Sequence, residues 1–132
     1  MNVTFGKAQY NGGLVGYSSH MSITNCAVLN DEIISDYAES GDYKGHSGCV
    51  VGYGNDNTSI TNTSVTDSKI TGRNDRGRIG IFYGSAQSSV TIGTGNSVKN
   101  VTILGDAATS ANLVGSVDAR TDKSNDGSVV FE

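Results

Sequence analysis

Short apolar clusters, separated by polar and glycine-rich residues, run along the whole chain. In the first part they are Leu14-Val15, Ile23 and Val28-Leu29, and glycine interrupts such clusters too often for helices. Short clusters of β-branched residues bounded by Gly, Asn, Ser and Thr are typical of strands joined by tight turns. The pattern therefore predicts an all-β chain with about three short strands in each unit.

The unit from Gly12 to Leu29 recurs along the chain. Its order of a Gly-Tyr step followed by Ser-Ile-Thr-Asn returns between Gly48 and Thr66, and weaker copies begin at Ile79 and Leu113. We align the copies on four glycines: Gly16, Gly52, Gly80 and Gly115. Intervals of this length indicate solenoids or arrays. The sequence predicts a right-handed parallel β-helix (a β-solenoid) of about three and a half coils, stacked about 4.8 Å apart.

An asparagine follows the Ser-Ile-Thr segment of each clear copy. Asn tolerates the left-handed conformation of a sharp bend, and its amide can donate and accept hydrogen bonds along a stack. We therefore expect an inward-facing structural ladder at one corner of the coils, built from Asn2, Asn25, Asn62 and Asn100. The aligned glycines are expected to mark a second tight place, where Tyr17 and Tyr53 either stack or cap the corner.

Composition and charge narrow the possible classes of protein. The 132 residues include 18 Gly, no Pro and no Trp, with only 7% aromatic residues, which excludes a helical bundle. A formal net charge of -4 argues against a nucleic-acid partner, since phosphate binding needs a basic face. No apolar run approaches the roughly 20 residues of a membrane-spanning helix, so membrane insertion is not expected.

Residues 1–132 are predicted to form a single β-solenoid domain. No secretion signal is visible, and residues at both ends already fit the repeat. The simplest interpretation is a segment excised from a longer repeat protein. Such a segment has open solenoid ends with unpaired strand edges, which would favour end-to-end self-association.

The motif Gly12–Tyr17, with Ser22–Cys26 downstream, resembles the GLUG repeat of bacterial surface proteins. That family includes immunoglobulin A peptidases and adhesin-like proteins of gut bacteria. The resemblance covers the first two copies well and the later copies loosely. It implies a non-catalytic solenoid stalk or adhesion module, extracellular or at the cell surface, with a host glycan or surface protein as the candidate partner.

Two other functions stay open: an accessory fragment of a carbohydrate-active β-helix enzyme, and a self-assembly module pairing through open solenoid ends. Carbohydrate chemistry needs carboxylates gathered on one face, and no Asp or Glu recurs in register on the predicted strands. Ser18-Ser19-His20 is not interpreted as a nucleophile and base, because adjacent residues generally point apart. We therefore expect no catalytic residue and no cofactor.

Charged residues in the predicted loops are the candidate binding residues. Arg73, Arg76 and Arg78 form a basic cluster that suits a sulfate, a carboxylate or an acidic sugar as ligand, although it could equally neutralise a neighbouring acidic loop. The acidic stretch 31–42 is interpreted as a solubilising surface rather than a calcium site. The candidate binding residues are Arg73, Arg76, Arg78, Asp36, Glu39 and Asp42.

Histidines and cysteines give no metal site in the sequence. His20 and His46 are predicted to be solvated loop residues, since neither stands at zinc-ligand spacing. Cys26 and Cys49 occupy different positions of the repeat, so their spacing gives no reason for a disulfide.

Overall fold

The computed structural model describes residues 9–35, 45–72, 78–86, 90–105, 113–114 and 130–131. Within these ranges all the regular structure is β-strand. The first coil comprises β1 (Tyr10–Gly12), β2 (Val15–Ser19), β3 (Ser22–Thr24), β4 (Ala27–Leu29) and β5 (Glu32–Ser35). The second comprises β6 (His46–Gly48), β7 (Val51–Asn55), β8 (Ser59–Thr61), β9 (Ser64–Thr66) and β10 (Lys69–Gly72). The third comprises β11 (Arg78–Gly80), β12 (Tyr83–Ala86), β13 (Thr91–Ile92), β14 (Ser97–Lys99) and β15 (Thr102–Gly105), after which comes β16 (Val130–Phe131).

Each of these three coils contributes one strand to each of five parallel sheets. The sheets are β1-β6-β11, β2-β7-β12, β3-β8-β13, β5-β10-β15 and β4-β9-β14-β16. Every pairing is parallel, so successive coils lie directly on one another and the predicted parallel β-helix is confirmed. The sequence predicts three strands per coil. The hydrogen-bond ladders divide the coil more finely, because two-residue corners separate the five strands of the first coil.

Columns of similar apolar side chains fill the interior of the coils. Ile23, Ile60 and Ile92 are register partners, and all three are buried. Valines stack in the same way in the sheet that contains β4, and isoleucines in the sheet that contains β5. Burial of each such side chain contributes about 1.5 to 3 kcal/mol before chain entropy is subtracted. The repeated apolar positions thus become one continuous core.

Left-handed residues make the corners of the coils. At the corner after β3 and β8 they are Asn25 (φ 56°) and Asn62 (φ 46°). At the corner after β4, β9 and β14 they are Asn30, Asp67 and Asn100, with φ of 53°, 50° and 52°. Asn and Asp visit this region more readily than other residues with a side chain. In the first and second coils, therefore, two successive corners each take an Asn or Asp, whereas in the third coil Gly95 (φ 75°) replaces the first of them.

The predicted asparagine ladder is wrong in its third coil. Asn25 and Asn62 follow the paired residues Thr24 and Thr61 and share one corner. Asn100 follows Lys99, which pairs with Thr66, so it occupies the next corner, and its Nδ2 donates to Asp67 Oδ1 at 2.9 Å.

The ladder is also wrong in its orientation, since Asn25, Asn62 and Asn100 are exposed. The residue after the left-handed position fills the inside of the corner instead. Thr63 is buried there, and its hydroxyl donates to the Thr61 carbonyl at 3.0 Å. Asn2 lies outside the described residues.

The glycine alignment is correct for two copies and shifted by four residues in the third. Val51 pairs with both Val15 and Tyr83, so the glycine equivalent to Gly16 and Gly52 is Gly84. Gly80 instead continues the column of Gly12 and Gly48. Gly115 lies outside the described residues, although the preceding Val114 bridges to Tyr83.

Candidate functional site

Four rings gather where the sheets of β1 and β2 meet, and we call Tyr10, Tyr17, His46 and Tyr53 the aromatic cluster. Tyr10 and His46 are register partners in β1 and β6, and Tyr17 and Tyr53 are partners in β2 and β7. A corner of only two residues joins β1 to β2, so the two columns run side by side. Coil stacking thus brings together rings that are distant in the sequence.

The rings of the aromatic cluster contact one another directly. Tyr17 and Tyr53 stack with centroids 5.5 Å apart and planes 4° apart, which is the first of the two arrangements expected from the sequence. The Tyr10 centroid lies 5.7 Å from Tyr17, 5.4 Å from Tyr53 and 5.3 Å from His46. His46 meets Tyr53 edge-on at 5.1 Å. All these separations fall in the favourable range of about 4.5 to 7 Å for aromatic pairs.

The cluster has a buried base and an exposed rim. His46 is 7% exposed, whereas Tyr10 and Tyr17 are 36% and 48% exposed. Asn55 Nδ2 donates to the Tyr17 hydroxyl at 3.2 Å, which helps to fix the more exposed ring. The cluster therefore offers solvent a set of positioned rings with hydroxyl groups at their edges.

In the third coil the same two columns become polar. Arg78 pairs with His46, and Ser85 pairs with Tyr53. The Ser85 hydroxyl lies 2.7 Å from His46 Nδ1, and Arg78 Nη1 makes a longer, weaker contact to the same oxygen at 3.5 Å. Ser85 is buried and Arg78 is partly exposed. We call the aromatic cluster together with Arg78 and Ser85 the aromatic–arginine surface.

The prediction for His46 is wrong, because this residue lies in a strand and is buried. The strand register holds its ring against Tyr10 and next to Ser85. The sequence offered one signal for this position. Tyr10, His46 and Arg78 each stand two residues before a glycine of the column Gly12, Gly48 and Gly80.

His20 is exposed at a corner, but its imidazole does not point away from the preceding residue. Ser19 Oγ and His20 Nδ1 share a hydrogen bond at 3.0 Å, contrary to the expectation for adjacent residues. The positive φ of His20, 54°, makes this local contact compatible with the bend. Among the described residues, no third side chain contacts the imidazole to orient it, as a nucleophile and base pair would need.

Most predicted binding residues cannot be placed at this surface. Asp36, Glu39, Asp42, Arg73 and Arg76 lie outside the described residues. Arg78 is the one candidate from the sequence that the described ranges include, and it joins the aromatic–arginine surface.

Asp31 departs from the interpretation of residues 31–42 as a solvated surface. It is 6% exposed, and its backbone N–H donates to the Ser68 hydroxyl at 3.3 Å. Burial, with a smaller effect from the Asp31 carboxylate, raises the pKa of the Cys49 thiol from 9.0 to about 12. Cys49 and the partly buried Cys26 are both free thiols. At neutral pH the Cys49 thiol is therefore protonated and a poor nucleophile.

In the ranges that the structure describes, no three His, Cys, Asp or Glu side chains converge to hold a metal ion. The same ranges contain no helix long and apolar enough to cross a membrane.

No family model, curated protein or solved structure matches this chain. The resemblance to the GLUG repeat therefore depends on the motif residues alone and stays a prediction.

Proposed function

We propose that this chain is a non-catalytic stalk or adhesion module of a bacterial cell-surface or secreted protein. The observation that best supports this proposal is the aromatic cluster on stacked parallel coils, with the rings of Tyr10 and Tyr17 exposed. Stacked coils form a stiff support whose length grows with the number of repeats. The resemblance of Gly12–Cys26 to the GLUG repeat adds the cell-surface setting.

A surface whose side chains are already held in place binds a partner at a lower cost in conformational entropy. Tyrosine offers a large contact area with a polar edge at low cost in conformational entropy, and Tyr and Arg dominate the energetics of many interfaces. Here hydrogen-bonded strands set the positions of the rings, and contacts such as the Tyr17–Tyr53 stack fix them further. Preorganisation of this kind lowers the cost of binding. The aromatic–arginine surface is therefore our candidate contact surface.

The nucleophiles of the described residues support binding rather than catalysis. The Cys49 thiol is buried, with a pKa raised to about 12. Ser19 contacts His20, but no acid or amide side chain of the described residues contacts this pair to complete a catalytic triad.

A binding assay on a glycan array and on immobilised mucin tests the proposal. The double variant Tyr10→Ala with Tyr17→Ala removes the two exposed rings, and we expect binding to weaken by about a hundredfold, or about 2.7 kcal/mol. Lys99→Ala is the control, since Lys99 is exposed in a different sheet, on β14. It should bind like the unaltered protein.

Two outcomes would contradict the proposal. One is the absence of binding to every glycan and glycoprotein at high protein concentration. The other is binding that the tyrosine double variant retains in full, while circular dichroism shows that its fold is unchanged.

A further inference from the structure

We infer that the aromatic–arginine surface binds a carboxylated sugar, with the sugar ring against the tyrosines and the carboxylate on Arg78. This inference rests on the proposed adhesive function and specifies the class of ligand. The observation behind it is the change of residue type along the two columns. One column runs from Tyr10 to Arg78, and the other runs from Tyr17 to Ser85.

The tyrosines favour an amphipathic, ring-shaped ligand. A pyranose ring has a face of C–H groups and a rim of hydroxyls, which matches an aromatic ring with a hydroxyl at its edge. Tyr10 and Tyr17 are the exposed rings, at 36% and 48%. The side-chain amide of Asn55, already bonded to the Tyr17 hydroxyl, adds a polar group at this rim.

Arg78 supplies the positive charge. Arg78 is partly exposed, and the hydrogen bond that its guanidinium makes within the described residues is the long contact to Ser85 Oγ at 3.5 Å. Within the described ranges, the ion pair that the structure shows joins Lys69 and Glu32, in the sheet of β5 and β10, and does not involve Arg78. A guanidinium binds a planar carboxylate through two parallel hydrogen bonds, which makes a carboxylate the matching group on the ligand.

The layout favours an oligosaccharide over an acidic peptide. Tyr10 and Arg78 are two coils apart in one column, or about 10 Å at the strand spacing of a sheet, so a short chain of sugars reaches both. A peptide that binds by strand addition needs a free strand edge. His46 and Tyr53, at the centre of this surface, instead project from β6 and β7, and each of these two strands is paired on both sides.

The test measures binding by titration calorimetry to oligosaccharides of galacturonate, glucuronate and N-acetylneuraminate. Each is compared with its methyl ester, which keeps the ring and removes the charge. We expect at least one free acid to bind, and its ester to bind about tenfold more weakly, since the ester cannot accept charge-assisted hydrogen bonds from Arg78. Arg78→Gln should weaken binding of the acid about tenfold and leave binding of the ester unchanged. Tyr17→Ala should weaken binding of both.

Lys69→Gln is the matched control, because it removes an exposed positive charge on another sheet. It should leave binding of the acid unchanged at 0.15 M salt, where distant surface charges are screened. Equal affinity for acid and ester, or an unchanged affinity in Arg78→Gln, would overturn the inference. So would binding to none of the three acids, or equally tight binding to a poly-glutamate peptide. Tyrosine-dependent binding to neutral glycans alone would overturn it while leaving the proposed adhesive function standing.

Discussion

Two surfaces of this solenoid are built by the same stacking of coils, but they differ in the types of residue that pair from one coil to the next. On the sheet of β3, β8 and β13, which we call the hydroxyl face, residues with hydroxyl groups pair in all three coils, as Ser22, Ser59 and Thr91. On the aromatic–arginine surface, Tyr10 is followed by His46 and then by Arg78. Stacking needs no such change of residue type. A column of similar residues is sufficient to hold the coils together. The column of Tyr10, His46 and Arg78 instead creates a surface that is aromatic at one end and positively charged at the other.

The largest expected effect lies beneath the hydroxyl face. Ile60→Asp places an unpaired charge in the column of Ile23 and Ile92, where Ile60 is fully buried. We expect the loss to exceed about 4 kcal/mol, so that the chain unfolds. Urea titration followed by circular dichroism measures it. Ile60→Val is the control, at about 1 kcal/mol. Similar urea midpoints for the two variants would contradict the placement of the Ile60 side chain in the buried core.

The next effect lies at the corner beneath the aromatic–arginine surface. A Cβ added at Gly48 would lie within van der Waals overlap of the Val51 carbonyl oxygen and 2.9 Å from the Gly84 nitrogen, and both atoms are backbone. Gly48→Ala should therefore cost about 3 kcal/mol by forcing the coils apart.

Gly16→Ala is its matched control. There the nearest atom to the added Cβ is the Tyr10 carbonyl oxygen at 3.0 Å. A smaller loss, of about 1 kcal/mol, is expected in thermal unfolding. Equal losses at Gly16 and Gly48 would contradict the difference in backbone crowding around these two glycines.

Alkaline pH tests the interior behind the aromatic–arginine surface. Burial raises the pKa of Cys49 to about 12 and raises the pKa of Tyr83 from its ordinary value of 10.0. Below pH 9 both groups are protonated in the folded and unfolded chains, so the free energy of unfolding does not yet depend on their ionisation. Above it the unfolded chain releases protons that the folded chain keeps, and stability falls by about 1.4 kcal/mol per pH unit for each group.

Urea midpoints measured between pH 7 and 11 show this loss. The variant Cys49→Ala should begin to lose stability about one pH unit later, since the ordinary pKa values of cysteine and tyrosine are 9.0 and 10.0. A stability that stays constant to pH 11 would mean that neither group is buried.

The smallest expected effect lies at the corner that ends the hydroxyl face. Asn25 has a φ of 56°, which a β-carbon tolerates poorly unless the residue is Asn or Asp. Asn25→Ala should cost about 1 kcal/mol, and Asn25→Gly should cost less, because glycine adopts this conformation without strain. Thermal unfolding of the two variants decides. A glycine variant less stable than the alanine variant would show that the asparagine amide, and not its backbone, matters.

The sequence was sufficient for the class of fold, because two copies keep the spacing between the Gly-Tyr step and Ser-Ile-Thr-Asn. It was insufficient for the register of the third copy. Gly80 and Gly84 both follow apolar residues, and only strand pairing shows that Gly84 belongs with Gly52. Asn100 was misplaced for a similar reason, since the first and second coils each have a left-handed Asn or Asp at both of these successive corners.

The candidate site could not be predicted from the sequence for the same reason, namely that the register of the coils is not evident from the spacing of the repeats. His46 and Arg78 follow stretches of different length, so their equivalence to Tyr10 emerges only when the glycines two positions later are aligned. The stack of Tyr17 on Tyr53 was predictable, because both lie in the well-matched copies. The contact of Ser85 with His46 depends on side-chain geometry that no spacing contains.

Methyl NMR on the isoleucine-labelled protein tests the parallel stacking of coils most directly. Coils about 4.8 Å apart predict strong nuclear Overhauser effects from Ile60 to both Ile23 and Ile92, and from Ile70 to Ile33. Between Ile23 and Ile92, two coils apart, the effect should be much weaker. A strong Ile23–Ile92 contact, with none from either residue to Ile60, would contradict the order of the coils.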